Sequence, residues 1–168
     1  AGNVIGGGDW SEDRLIPDIV RAIASDKEIV IRSPKSVRPW QHVLEPVFGY
    51  LQLGTALQQE PIEYTGAWNF GPSHSDNLPV ITIAEQAIAI WGKGRINLQV
   101  DPNAPHEAKL LKLDISKVVN ELHWQPRMHT ATAIDCTIKW YKSFYENEKT
   151  ALELLDADVI FYQSLLNS

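Results

Sequence analysis

Within its first 32 residues the chain passes from a short β-type run to a glycine cluster, an amphipathic helical stretch and a second β-branched run. Alternation of this kind belongs to α/β folds, where each helix returns the chain so that strands can lie side by side. Asn3-Val4-Ile5 reads as a strand that stops at Gly6-Gly7-Gly8, and Asp9 to Asp13 offers polar side chains for a helix N-cap and first turn. Leu15, Ile16, Ile19, Val20 and Ile23 recur near the helical period, with Pro17 early enough to be tolerated. Glu28 to Arg32 reads as a strand ended by Ser33-Pro34.

The alternation continues downstream. Val37 to Val43 is expected to be extended because Pro39 forbids a helix, and Leu44 to Gln58 carries apolar residues at helical spacing. Ala67 to Phe70 reads as a buried strand ending at Gly71-Pro72. Thr82 with Glu85 has the form of a capping box for a helix through Trp91, and Ile96 to Val100 reads as another strand. A loop is expected over Asp101 to Lys109, then a short helix opened by Asp114-Ile115-Ser116, and helices over Thr130 to Asn147 and Ala151 to Leu166. The predicted class is α/β, a few sheet strands covered by helices.

With 168 residues, 44% of them hydrophobic, the chain is large enough to bury a core without metals or disulfides. Its 15 Lys+Arg against 21 Asp+Glu give a net charge of −6, which argues against a nucleic-acid partner, since that affinity comes from many cationic contacts. No apolar run is long enough to span a membrane. The lone Cys136 forms no intrachain disulfide and no four-cysteine zinc site, which fits a reducing cytoplasm. An apolar run leading straight into glycines at the first residues reads as a chain that begins inside a strand, as part of a larger protein.

The chemical motifs are sparse. Gly6-Gly7-Gly8 lacks the spacing of a dinucleotide loop and no Gly-Lys-Ser/Thr follows, so a strand-end turn is the simpler reading. Tyr145 and Lys149 have Tyr-x-x-x-Lys spacing, but Glu146, Asn147 and Glu148 between them read as a solvated helix end. The five histidines do not pair at metal-binding intervals, and Cys136 falls in the apolar periodicity of a helix. What remains are anion-handling residues at strand ends, Asn3, Arg14, Arg38, Asn69 and His106. Each also has an ordinary reading as a surface cation or a turn residue.

Taken together, Gly2-Asn3-Val4-Ile5-Gly6-Gly7-Gly8-Asp9-Trp10, Asp13-Arg14-Leu15-Ile16-Pro17, Val37-Arg38-Pro39-Trp40-Gln41-His42-Val43, Trp68-Asn69-Phe70-Gly71-Pro72 and Pro105-His106-Glu107-Ala108 resemble one family. It is the extended short-chain dehydrogenase/reductases that act on nucleotide sugars, in their carboxyl-terminal half. Val4-Ile5-Gly6-Gly7 and Arg38-Pro39-Trp40 favour the branch using CDP-sugars. The resemblance implies a Rossmann-like α/β fold in which residues 1–168 are the substrate-binding half with the last strands of the cofactor sheet. It implies a nucleotide-sugar 4,6-dehydratase converting CDP-glucose to its 4-keto-6-deoxy product with NAD, held mainly by an amino-terminal region outside this sequence.

By position, the resemblance assigns Asn3 to sugar and diphosphate, Arg14 and Leu15 to sugar and base, Ile31 and Arg32 to the base, and Arg38 to the diphosphate. Asn69 and His106 are placed near the nucleotide. No catalytic or metal-binding residue is implied within the chain, the fragment alone is expected to be inactive, and the full-length enzyme is expected to be a cytoplasmic homo-oligomer. Asn103 stands where related dTDP enzymes commonly have an arginine. An epimerase or decarboxylase of the same superfamily, or a non-catalytic ligand-binding domain, remain as alternatives.

Overall fold

A computed structural model describes residues 1–76, 78–100 and 111–167. β1 (Asn3–Ile5), α1 (Leu15–Ala24), β2 (Glu28–Ile31), β3 (Val37–Arg38) and β4 (Trp40–His42) lead into α2 (Leu44–Gln59) and α3 (Pro61–Tyr64). Then come β5 (Leu78–Pro79), α4 (Val80–Trp91), β6 (Arg95–Leu98), α5 (Ser116–Glu121), α6 (Thr130–Tyr145) and α7 (Ala151–Leu166). The strands pair in twos: β1 parallel to β4 with Asn3 opposite Trp40, β2 parallel to β6 with Ile31 opposite Leu98, and β3 antiparallel to β5. Parallel pairing follows from the helices that intervene between the partners.

The main core is built where the two periodicities meet. Ile16, Ile19, Val20 and Ile23 form the buried stripe of α1, and β2 alternates so that Ile29 and Ile31 point inward beneath it. Ile83, Ala84 and Ala87 of α4 pack on Ala133, Ile134 and Ile138 of α6. Each fully buried isoleucine contributes about 1.5–3 kcal/mol of transfer free energy, so this layer dominates the hydrophobic stabilisation. A smaller cluster joins Phe70, Val118, Leu122 and Trp124 to Phe48 and Leu53 of α2.

Two contacts tie the ends of the chain to this frame. Fully buried Glu45 on α2 accepts hydrogen bonds from the Arg127 N–H (2.7 Å), the Met128 N–H (2.5 Å) and the Tyr162 hydroxyl of α7 (3.0 Å). Burial pushes its pKa up against these donors. After β1, Gly7 lies against the indole of Trp140, so closely that a Cβ would sit 2.0 Å from Cδ2. Gly8, with φ +83°, turns the chain in the left-handed region.

Three local expectations are corrected. Residues 67–70 form no strand: among the described residues the backbone there gains Gly2 N–H on the Phe70 carbonyl (3.2 Å), which also accepts from Gln41 Nε2 (2.8 Å), but no adjoining strand completes a ladder. Thr82 does not cap α4, which begins at Val80. The Val80 N–H bonds to Ser36 O and the Ile81 N–H to Pro34 O, both at 3.0 Å, so the β2–β3 connection satisfies the first donors. Nor do the acids of residues 9–13 cap α1. Its N-cap is Arg14, which makes no side-chain cap, and the Asp9 carboxylate accepts instead from the Ser11 N–H. Among the described residues a capping box forms instead at Thr150 and Glu153, opening α7.

Candidate nucleotide-binding cleft

One cleft of about 540 Å³ lies between the carboxyl ends of the first strands and the start of α1, a volume within the range that small-molecule sites occupy. Asn3, Arg14, Leu15, Ile31, Arg32 and Arg38 all line it. They arrive from different elements. Asn3 opens β1, where its N–H bonds to the Pro39 carbonyl at 2.9 Å, and Arg14 and Leu15 begin α1. Ile31 ends β2, Arg32 follows it, and Arg38 ends β3.

The cleft brings cations to a common space. The half-buried Arg38 donates from Nη1 to the Val37 carbonyl at 3.0 Å, which orients the guanidinium beside the Asn3 wall. Arg14 and Arg32 are exposed, and neither makes a hydrogen bond or ion pair among the described residues. Most acids of the lining are engaged: Asp18 with Arg21, Glu28 with the Asn97 amide (2.8 Å), and Asp9 with Ser11. Hydrogen bonds from Ser11 hold the Asp9 carboxyl below its usual range. Three guanidinium groups facing one concavity suit a ligand bearing several negative charges, because each offers forked donors to phosphate oxygens.

Two of the expected contacts stand apart. Asn69 does not line the cleft, its exposed side chain donating to the Asp114 carbonyl at 3.1 Å, and His106 falls outside the described residues. Conversely, Asp13 and Ser36 line the cleft without having been singled out. The only signal for them was their nearness in sequence to Arg14 and to Arg38.

The remaining motifs resolve into packing. Tyr145 closes α6 and Lys149 lies beyond the helix end, so they share no helical face. Gly6 borders the cleft, but Gly7 is covered by Trp140 and no helix starts until Leu15, so this turn does not present its N–H groups as a phosphate cradle. Burial pushes the Cys136 thiol up to about 11. Its reaction with a thiol reagent at pH 7.5 is therefore expected to run roughly 100-fold slower than that of a free cysteine, and a rate equal to free cysteine would contradict the packed position.

A second, mostly apolar cavity of about 340 Å³ is lined by Trp10, Val43, Trp140, Leu155, His42 and Asp158 among others. His42 Nε2 has no hydrogen-bond partner among the described residues and lies 3.8 Å from Asp158 Oδ2. Burial lowers His42 to about 4 and raises Asp158 to about 6.

No known family model matches the chain. It is similar to CDP-glucose 4,6-dehydratase of Salmonella typhimurium, with 44% identity over 148 residues, 88% of this chain and 41% of that protein. Among solved structures, UDP-glucuronic acid 4-epimerase from Bacillus cereus, bound to UDP-glucuronic acid and NAD, superposes with a TM-score of 0.70 at 19% identity, over 86% of this chain and 44% of that one. The dTDP-glucose 4,6-dehydratase from Bacillus anthracis, in complex with NAD, gives 0.66 at 20% identity over 84% and 43%. The α/β fold is thus that of part of these extended short-chain dehydrogenase/reductase structures, and the chain spans about two-fifths of the length of the proteins it matches.

Proposed function

We propose that residues 1–168 are the substrate-binding, carboxyl-terminal part of a CDP-glucose 4,6-dehydratase. The observation that carries this reading is the single cleft lined by Asn3, Arg14, Leu15, Ile31, Arg32 and Arg38, in a chain 44% identical to an enzyme of that name. In this reading Arg38 and the Asn3 amide hold the diphosphate, while Leu15 and Ile31 form the apolar wall beside the base. Their work is positioning: a hexose anchored through its diphosphate is held in one orientation for reaction, which lowers the entropic part of the barrier. Val47, Tyr50 and Leu51, apolar side chains exposed on α2, fit a surface covered by further polypeptide of the same protein.

The reaction also implies NAD, and the chain, at 41% of the length of its relative, holds at most a minor part of the site for it. The glycine cluster is covered by Trp140 at Gly7 and no helix starts until Leu15, so it is not a dinucleotide loop. The cofactor is assigned mainly to the rest of the protein.

Arg38→Ala tests the reading. One charge-assisted hydrogen bond contributes about 1.5–3 kcal/mol, so CDP should bind at least tenfold more weakly to the variant in titration calorimetry. Identical heats for the two proteins would refute the anchoring role. For the whole protein, CDP-glucose supplied with NAD should yield the 4-keto-6-deoxy sugar. Inversion at C4 without loss of water would identify an epimerase instead.

A further inference from the structure

The apolar cavity of about 340 Å³ shares no lining residue with the nucleotide cleft and has no part in the reading above. It lies between the turn after β1, the end of β4, and helices α6 and α7, with walls from Trp10, Val43, Trp140 and Leu155 and a volume in the range that small-molecule sites occupy. Two polar groups interrupt this lining. His42 is 1% exposed, and its Nδ1 accepts from the Leu44 N–H at 3.4 Å, so the neutral ring that burial enforces carries its proton on Nε2. That N–H has no hydrogen-bond partner among the described residues and faces Asp158 Oδ2 across 3.8 Å. A donor buried without a partner costs stability, and a ligand that accepts from it relieves that cost.

We propose that this cavity is a binding site for a small aryl alcohol, whose hydroxyl bridges His42 and Asp158 while its ring lies among Trp10, Trp140 and Leu155. The 3.8 Å gap is too long for a direct hydrogen bond, yet one oxygen at about 2.8 Å from each atom spans it. A hydroxyl does both jobs at a single atom, accepting from the Nε2–H and donating to the carboxylate. A carbonyl or ether oxygen accepts but cannot donate, and an ammonium donates but cannot accept. Burial raises Asp158 to about 6, so at neutral pH it remains the acceptor of the pair. The ring is favoured over an alkyl chain because indoles offer edges and faces to it, as Trp10 already does to Trp140 at 5.9 Å between ring centres.

The test uses the full-length protein and fluorine NMR, which reads weak binding from line broadening, with 4-fluorophenol and fluorobenzene as probes. Two hydrogen bonds, one of them to a carboxylate, should make wild type bind 4-fluorophenol about tenfold or more tighter than the ring without its hydroxyl. Asp158→Leu keeps the bulk and removes the acceptor, so it should weaken 4-fluorophenol about tenfold and leave fluorobenzene almost unchanged. Unchanged fluorobenzene binding reports that the cavity is intact. Leu155→Trp, at a half-exposed position on the wall, should fill the space and abolish both probes. Excess CDP should displace neither probe, because the two sites share no residue. Equal affinity for the two probes in wild type would make this an apolar hole without recognition of a hydroxyl. Binding that survives Leu155→Trp, or that Asp158→Leu does not alter, would place the probe elsewhere, and displacement by CDP would merge the cavity with the nucleotide cleft. Any of these results, or no binding by wild type, overturns the proposal while leaving the nucleotide-sugar reading untouched.

Discussion

Glu45→Ala is expected to lower the unfolding free energy by about 4 kcal/mol, a loss that chemical denaturation would read directly. The carboxylate is fully buried and accepts from the Arg127 and Met128 backbone and from the Tyr162 hydroxyl, so its removal leaves three donors without partners and detaches α7 from α2. A buried donor stranded in this way costs about 1–3 kcal/mol, and three are stranded together. Glu45→Gln keeps an acceptor oxygen for the two N–H groups and should cost about 1 kcal/mol. The pH dependence carries a definite sign. Because burial raises the folded-state pKa above the unfolded one, the group's contribution is fully present below the unfolded value and is lost as pH rises through the folded value. The margin of wild type over Glu45→Gln should therefore shrink as pH increases across that window. A margin that grows would mean the carboxyl is stabilised as the anion.

Gly7→Ala is expected to cost about 3 kcal/mol through overpacking. The new methyl would lie 2.0–2.5 Å from three ring atoms of Trp140, which is itself stacked on Phe144 (5.3 Å between ring centres) and met edge-on by Trp10. No rotation of one side chain relieves that overlap, because the neighbouring rings hold the indole on both sides. Gly54→Ala is the contrast: Gly54 lies inside α2 with open space where a Cβ would go, so alanine there should stabilise the protein by up to about 1 kcal/mol. Thermal unfolding of the pair should move the midpoints in opposite directions. Equal midpoints would contradict the close approach at Gly7.

How much of this was legible in the order of residues depends on how local each signal is. Leu15 to Ile23 in α1 and the in-out alternation of Glu28 to Ile31 depend only on neighbours a few positions away, and helices and strands formed there. Ala151 to Leu166 formed over those same residues, because its capping box is written within four residues of chain. The strand expected at 67–70 needed a partner that local pattern does not name, and the start of α4 was set by carbonyls of Pro34 and Ser36, far away in sequence. Residue chemistry and resemblance nominated Asn3, Arg14, Leu15, Ile31, Arg32 and Arg38, but only packing put them on one cleft and left Asn69 outside it. Glu45 was invisible for the same reason: its three donors lie more than eighty residues away.

What the residue order decided is thus the class of fold and the identity of the elements, since hydrophobic periodicity and capping act over single turns and strands. The tertiary structure decided which charged residues line a common cleft. That outcome depends on parallel pairing between β1 and β4 and on α1 packing over β2, contacts whose free energy comes from burying apolar faces and not from the polar residues they carry into place.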